Sequence, residues 1–168
     1  VFEYFDCSDL LNLETNYHQI IKRNGIPHVL INCSYPKTQD WADNNFKKIK
    51  YESMKKNIEI HLNSYVWLSK ISAEKMKKNK KGSIIMLGSI YGLIGQNENL
   101  YKKLHITENM TYSIIKGGII NFTRQLASFY GKFNIRVNTV SPGAVLSSDK
   151  KDLTKNSIFL KRYKLMTP

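Results

Sequence analysis

The sequence has 168 residues, 42% of them hydrophobic, which is enough for one domain that buries a sizeable core. The formal net charge of +13 comes mainly from lysines in short runs, which are typical of solvated helix faces and favour a protein that binds no nucleic acid. No apolar run approaches the roughly 20 residues of a membrane helix, so we expect a cytoplasmic protein without membrane contacts.

The first part of the chain predicts a strand, a helix and a second strand. The short first strand is expected over Val1–Phe5, and Ser8 or Asp9 can cap a helix that continues to about Lys22. His28–Asn32 is a continuous apolar run, which is typical of a strand buried on both faces of a parallel sheet.

The rest of the chain repeats this alternation with longer helices. A helix is predicted over about residues 51–78, and a buried strand follows over Ser83–Leu87. A third helix is predicted over about residues 111–130, and Gly117-Gly118 within it suits close packing against a neighbouring helix. Asn134–Val140 supplies the next strand.

Strands that alternate with helices predict βαβ units. We therefore predict an α/β fold, a Rossmann-like doubly wound parallel sheet in one partial domain over residues 1–168. Ligands of such sheets bind beyond the carboxyl ends of the strands. Polar side chains at or just after the predicted strand ends are those of Asp6, Asn32, Ser89 and Ser141. Four of them at one sheet edge favour a site over isolated turn formers or helix caps.

The cysteines and histidines predict no metal site. Cys7 and Cys33 lack both CxxC spacing and the density of a disulfide framework, so reduced, partly buried thiols are expected. The four histidines are scattered without the spacing of metal ligands.

Tyr112 and Lys116 lie four residues apart on the third predicted helix, which stacks a phenol and an ammonium on one face. A neighbouring cation lowers the pKa of a tyrosine by favouring the phenolate. The spacing therefore indicates a proton-transfer site, although taken alone it also fits an ordinary exposed pair.

Four segments together resemble the short-chain dehydrogenase/reductase family in order, residue type and approximate spacing. They are Ile31–Pro36, Gly82–Ser89, Tyr112–Lys116 and Asn134–Gly143. The resemblance extends from Val1 to about Ser147, nearly the whole chain.

The resemblance implies hydride transfer between NAD or NADP and a carbonyl or alcohol of a small-molecule substrate. Tyr112 would be the general acid and base, and Lys116 would stabilise its phenolate and bind the nicotinamide ribose. Ser89 would hold the substrate oxygen. His61 stands where the family usually has the asparagine of a proton relay, and its titration would add a pH dependence. An ordinary buried helical histidine is the alternative.

The resemblance also implies cofactor contacts besides those of Tyr112 and Lys116. Asp6 would bind the adenine amino group beside Cys7, and Asn32 is retained from the family's Asn-Asn-Ala-Gly segment. The loop after Val140 would cover the nicotinamide with Pro142, Gly143, Val145 and Ser147.

Two segments depart from the family pattern. Cys33, Ser34 and Tyr35 stand where Asn-Ala-Gly is common, and Tyr35 in place of glycine should narrow the approach to the cofactor. The spacing between Ser89 and Tyr112 exceeds the family's, so residues 94–110 are expected to form an inserted loop beside the substrate pocket.

This insert, together with the flanking Ser89–Gly92 and Lys116–Ile120, resembles the family branch that modifies bacterial flagellin and surface sugars. That branch implies a sugar or nucleotide-sugar substrate. We expect a homodimer or homotetramer in the full-length protein, built on the helix that carries Tyr112.

The family's first strand, Gly-rich turn and last strand have no counterpart between Val1 and Pro168, so the chain is expected to be truncated at both ends. The missing turn is where the pyrophosphate would bind, and we therefore expect little activity from this polypeptide alone. One alternative is a non-catalytic remnant with a structural or interaction role. A weaker alternative makes the lysine-rich faces a surface that binds an anionic polymer.

Overall fold

The computed structural model describes residues 2–145 and 157–166 and has an α/β architecture. Its strands are β1 (Val29–Asn32), β2 (Gly82–Leu87) and β3 (Ile135–Val140), which are parallel and lie in the order β1-β2-β3. The predicted α/β class and Rossmann-like parallel sheet are therefore confirmed.

The residues before β1 differ from the prediction. Residues 2–5 form no strand, and no other described segment pairs with them. The first helix, α1, covers Leu13–Asn24 and starts later than expected. The side chains of Asp6 and Asp9 explain the delay, because they accept hydrogen bonds from the backbone N–H groups of Ser8 and Asn12 in turns that precede the helix.

Two short helices, Glu98–Tyr101 and Ser157–Met166, were not predicted. The other two predicted helices are present, and the one expected over residues 51–78 contains one irregular turn. A π-helical turn over Ile58–Asn63 separates its two α-helical parts. Such turns carry one extra residue and often occur at functional sites. The helices that follow α1 are α2 (Tyr51–Asn57), α3 (Ser64–Lys78), α4 (Glu98–Tyr101), α5 (Met110–Tyr130) and α6 (Ser157–Met166).

Helices α1, α3 and α5 contact one another in sequence and cover one face of the sheet. The main core lies between that face and α3 and α5, and a smaller cluster joins α1 to α3. The opposite face has no helical cover among the described residues. Val29 and Ile31 are therefore 51% and 58% exposed, and the prediction that this strand is buried on both faces is wrong for the described part of the chain.

No helix within residues 2–145 and 157–166 is long and apolar enough to cross a bilayer. In the same ranges, no three His, Cys, Asp or Glu side chains come together as metal ligands would. Cys7 is partly buried and Cys33 is exposed, and neither forms a disulfide.

Candidate active site

A cleft of about 250 Å³ lies at the carboxyl ends of the strands, where an α/β sheet binds its ligands. Half of its lining was predicted from the sequence, namely Ser89, Tyr112, Lys116, Pro142, Gly143 and Val145. The other half comprises Cys33, Ser34 and Tyr35, the segment that was expected to narrow the approach to the cofactor, and three residues that were not predicted, Tyr65, Leu87 and Gly88.

Two local structures bring Ser89 and Tyr112 to the cleft. Ser89 follows β2, and its Oγ accepts the backbone N–H of Tyr91 at 3.2 Å, which turns the chain away from the sheet. Asn109 caps α5, because its Oδ1 accepts the backbone N–H of Tyr112 at 2.8 Å. This cap places Tyr112 in the first turn of the helix, with its hydroxyl bonded to Ser89.

Burial raises the pKa of Tyr112, while the hydrogen bond with Ser89 opposes the rise and the neighbouring Tyr91 adds to it. The net shift is therefore upward, so the predicted decrease in the pKa of Tyr112 is wrong for this structure. The ammonium of Lys116 instead donates to the Leu87 carbonyl at 2.7 Å. Tyr112 thus keeps its proton near neutral pH.

Lys116 is only 3% exposed although it lines the cleft. Burial lowers its pKa to about 8, and the Cys33 thiol opposes that change. The Lys116 Nζ lies 5.4 to 5.7 Å from the ring centroids of Tyr35, Tyr65 and Tyr112. These distances fall within the range of cation–π contacts.

His61 lies behind the cleft on the π-helical turn and is fully buried. Its ring centroid is 5.0 Å from that of Tyr35 and 5.6 Å from that of Tyr65. Burial lowers the pKa of His61 to about 3, and the nearby charge of Lys116 acts in the same direction. The Pro36 carbonyl opposes the shift, yet neither ring nitrogen has a hydrogen bond of good geometry with the described residues. The relay role of His61 stays a prediction.

Asp6, Cys7 and Asn32, which were also predicted to contact the cofactor, do not line this cleft. Asn32 is buried, and its Oδ1 accepts the backbone N–H and the hydroxyl of Ser34 at 3.1 and 2.7 Å, which shapes the loop after β1. Asp6 bonds Ser8, and Cys7 packs on the small cluster between α1 and α3. Ser147 lies outside the described residues.

Tyr65 and Trp41 are the contributions that sequence reasoning missed. Tyr65 lies four residues after His61 on the same helix, and its hydroxyl donates to the Ser34 carbonyl at 3.0 Å. The helical spacing from His61 was a usable signal for it. Trp41 packs against Tyr35 with ring centroids 5.9 Å apart. Only tertiary structure shows this contact, because Trp41 begins a short 3-10 helix that the sequence did not predict.

The insert over residues 94–110 is attached to the start of α5. The Gln96 side chain donates to the Asn109 carbonyl at 2.7 Å and to Ser113 Oγ at 3.0 Å. A second cavity of about 560 Å³ separates the insert from α6, and Gly143 lines both this cavity and the cleft. The other lining residues are Ile90, Tyr91, Ile94, Gly95, Asn97, Leu100, Tyr163 and Met166.

The chain is similar to known proteins in sequence and in fold. A family model described as Enoyl-(Acyl carrier protein) reductase matches residues 4–168. The chain is 31% identical over 134 residues to the post-translational flagellin modification protein A of Campylobacter coli, which covers 80% of this chain and 50% of that protein. It is 28% identical over 144 residues to the 3-oxoacyl-[acyl-carrier-protein] reductase of Bos taurus, covering 86% of this chain and 55% of that protein.

The fold matches a crystal structure of a short chain dehydrogenase from Leptospira borgpetersenii with bound NAD+. The TM-score is 0.79 at 27% identity, and the match covers 97% of this chain and 59% of that one. The chain thus spans little more than half the length of the relatives it matches. Since the family model matches almost every residue and the fold and motif order agree with it, the chain belongs to the short-chain dehydrogenase/reductase family.

Proposed function

We propose that the full-length protein is an NAD(P)-dependent oxidoreductase that transfers a hydride between nicotinamide and a carbonyl or alcohol of a small molecule. The observation that carries this proposal is that Ser89, Tyr112 and Lys116 line one cleft at the carboxyl ends of parallel strands. Membership of the family and the NAD+ bound by the Leptospira relative support it.

The residues present fit the nicotinamide half of the cofactor. Lys116 has three N–H donors and gives one to Leu87, which leaves donors for ribose hydroxyls. The loop of Pro142, Gly143 and Val145 lines the same cleft and could cover a bound ring. The cofactor would supply or accept the hydride, while the protein orients the reactants and moves the proton.

Tyr112 and Ser89 have distinct roles in this proposal. In reduction, the neutral Tyr112 hydroxyl donates its proton to the developing alkoxide, and in oxidation the phenolate removes the alcohol proton. Ser89, which bonds the Tyr112 hydroxyl, positions the substrate oxygen beside it. The cation at Lys116 favours the phenolate whenever the proton has left.

The second cavity provides a place for the rest of the substrate. We propose a sugar-derived or nucleotide-sugar substrate, as the resemblance to the branch that modifies flagellin and surface sugars implies, and the similarity to a flagellin modification protein supports that branch. None of the described residues that line the cavity carries a charge, so the substrate group that enters it should be uncharged. We further propose that α5 forms the subunit contact of a homodimer or homotetramer. Partly exposed apolar residues support this, namely Ile114 and Phe129 on α5 and Trp67 on α3, which contacts α5.

The Tyr112→Phe variant of the full-length protein tests the proposal. Turnover, followed by NAD(P)H absorbance on a panel of carbonyl compounds, should fall by about 10² to 10⁴. The affinity for NAD(P)H, followed by its fluorescence, should change little. Tyr130→Phe is the matched control, because Tyr130 lies at the far end of α5 and bonds Glu74.

Wild-type turnover in Tyr112→Phe would refute the role of Tyr112 as acid and base. A full-length protein that bound neither cofactor would favour the non-catalytic alternative instead.

A further inference from the structure

Lys116 is a buried cation without a carboxylate partner. Its side chain is nearly inaccessible, and within residues 2–145 and 157–166 no Asp or Glu forms an ion pair with it. Burying an unpaired charge is costly unless other groups compensate for the lost water. The Leu87 carbonyl accepts one of its three N–H donors and cannot compensate alone.

Three tyrosine rings provide the rest of the surroundings. The Lys116 Nζ lies 5.7 Å from the ring centroid of Tyr35, 5.4 Å from that of Tyr65 and 5.6 Å from that of Tyr112. The rings come from three elements: the loop after β1, the start of α3, and α5 itself. All lie within about 6 Å, where the quadrupole of an aromatic ring attracts a cation.

The ring of Tyr35 is held in place by its neighbours. It packs against Trp41 and His61 with ring centroids 5.9 and 5.0 Å apart, and the Trp41 indole N–H hydrogen-bonds its hydroxyl. Tyr65 is fully buried in the core, and Tyr112 belongs to the proposed reaction. Tyr35 is 45% exposed, so it is the ring of the three that can be replaced with least damage to the fold.

We propose that the aromatic face of Tyr35 is a positioning device that keeps Lys116 in its ammonium form inside the cleft. The role requires the ring and not the hydroxyl. This gives a purpose to the departure from the family's glycine at this position, and its part in catalysis rests on the proposed function. The attraction between Lys116 and the Tyr35 ring does not rest on the proposed function.

The groups facing Lys116 explain why such an attraction matters. They are Tyr112 on its own helix, Tyr35 and Cys33 on the loop after β1, and His61 and Tyr65 on the helix that contains the π turn. Burial already brings the pKa of Lys116 down to about 8. A further drop would leave much of the lysine uncharged at neutral pH.

The test measures the titration of Lys116 directly in the full-length protein without cofactor. Trace acetic anhydride labels lysines in proportion to their uncharged fraction, and mass spectrometry of the Lys116 peptide gives the rate at each pH. The Tyr35→Leu variant should lower the apparent pKa of Lys116 by roughly 0.5 to 1 unit. The Tyr35→Phe variant keeps the ring, so the apparent pKa of Lys116 in it should equal that in the wild type.

Two further variants exclude a merely structural effect. Trp67→Leu removes a ring that faces Lys70 on the surface and should leave Lys116 unchanged. A fluorinated phenylalanine at position 35 keeps the shape of the ring but weakens its negative face. The apparent pKa of Lys116 in this variant should therefore lie between the values in Tyr35→Phe and Tyr35→Leu. If Tyr35→Leu fails to fold, the fluorinated variant still tests whether the Tyr35 ring keeps Lys116 charged.

An unchanged Lys116 pKa in both Tyr35→Leu and the fluorinated variant would overturn the proposal, as would an equal drop in Tyr35→Phe. Since labelling needs no turnover, a shifted pKa in an enzyme that shows no hydride transfer would uphold the role of Tyr35 and refute the proposed function.

Discussion

At the scale of single residues, burial determines the protonation states around the candidate site. It raises the pKa of Tyr35, Tyr65 and Tyr112 and lowers that of His61, so all four are neutral near pH 7. Lys116 is the cation among them. The site therefore combines a proton donor that retains its proton with a cation that can stabilise the resulting phenolate.

The low pKa of His61 predicts acid sensitivity. Its pKa is about 3 in the folded protein and 6.5 when unperturbed, so its contribution to stability is complete above pH 6.5 and is lost as the pH falls towards 3. The wild-type free energy of unfolding should fall between pH 7 and pH 4 by about 3 kcal/mol more than that of His61→Asn. Urea unfolding at both pH values measures this difference.

The control for this prediction is His105→Asn, which replaces an exposed histidine of the insert and should behave as the wild type at both pH values. An acid sensitivity that persists unchanged in His61→Asn would show that other groups cause it.

At the scale of elements, α5 is held close to its neighbours by glycines. A Cβ on Gly92 would lie 2.6 Å from the backbone carbonyl carbon of Lys116, and one on Gly118 would lie 3.0 Å from the Leu62 side chain. The first contact fixes the distance between the 3-10 turn after β2 and the turn of α5 that carries Lys116. The second confirms the predicted close packing and brings α5 against the π-helical turn.

Gly92→Ala should therefore disturb the site. A backbone atom cannot move aside as a flexible side chain does, so we expect a loss of about 1 to 3 kcal/mol in the free energy of unfolding and a large loss of turnover. Gly95→Ala is the matched control, because a Cβ there meets nothing within 4 Å. Equal stabilities of the two variants in urea would contradict the close approach of the 3-10 turn after β2 and α5.

At the scale of the whole molecule, the described residues form a sheet with helices on one side only. Val29, Ile31 and Val140 are each about half exposed on the other side, which leaves an apolar surface. Such surfaces bind apolar dyes or other protein segments. The described residues therefore present an apolar sheet face that an apolar dye can bind.

The 168-residue chain should enhance the fluorescence of anilinonaphthalene sulfonate, and Ile31→Lys should reduce that signal by roughly half by adding a charge to the middle of the apolar face. Leu11→Lys serves as the control, since Leu11 is exposed elsewhere, near the start of α1. An equal loss of fluorescence in both variants would show that the dye binds outside this sheet face.

Local patterns sufficed for the three strands of the sheet, for α5 and for the pair of Tyr112 and Lys116. The apolar runs located all three strands of the sheet, and the helical period located α5 to within one residue of its start. Helix α1 begins later than predicted because the side chains of Asp6 and Asp9 accept backbone N–H groups in turns that precede it. Hydrophobic periodicity does not reveal this competition between turn and helix.

The sequence by itself determined the fold class, the family and the positions of Ser89, Tyr112 and Lys116, because these depend on short-range spacing and motif order. Tertiary structure decided which groups surround Tyr112 and Lys116, and which protonation state each of these groups has. Tyr35, Tyr65 and His61 come together from separate elements, and the pKa of each depends on burial that no local pattern encodes. For this reason the pKa of Tyr112, which the sequence predicted to be lowered, is raised in the structure.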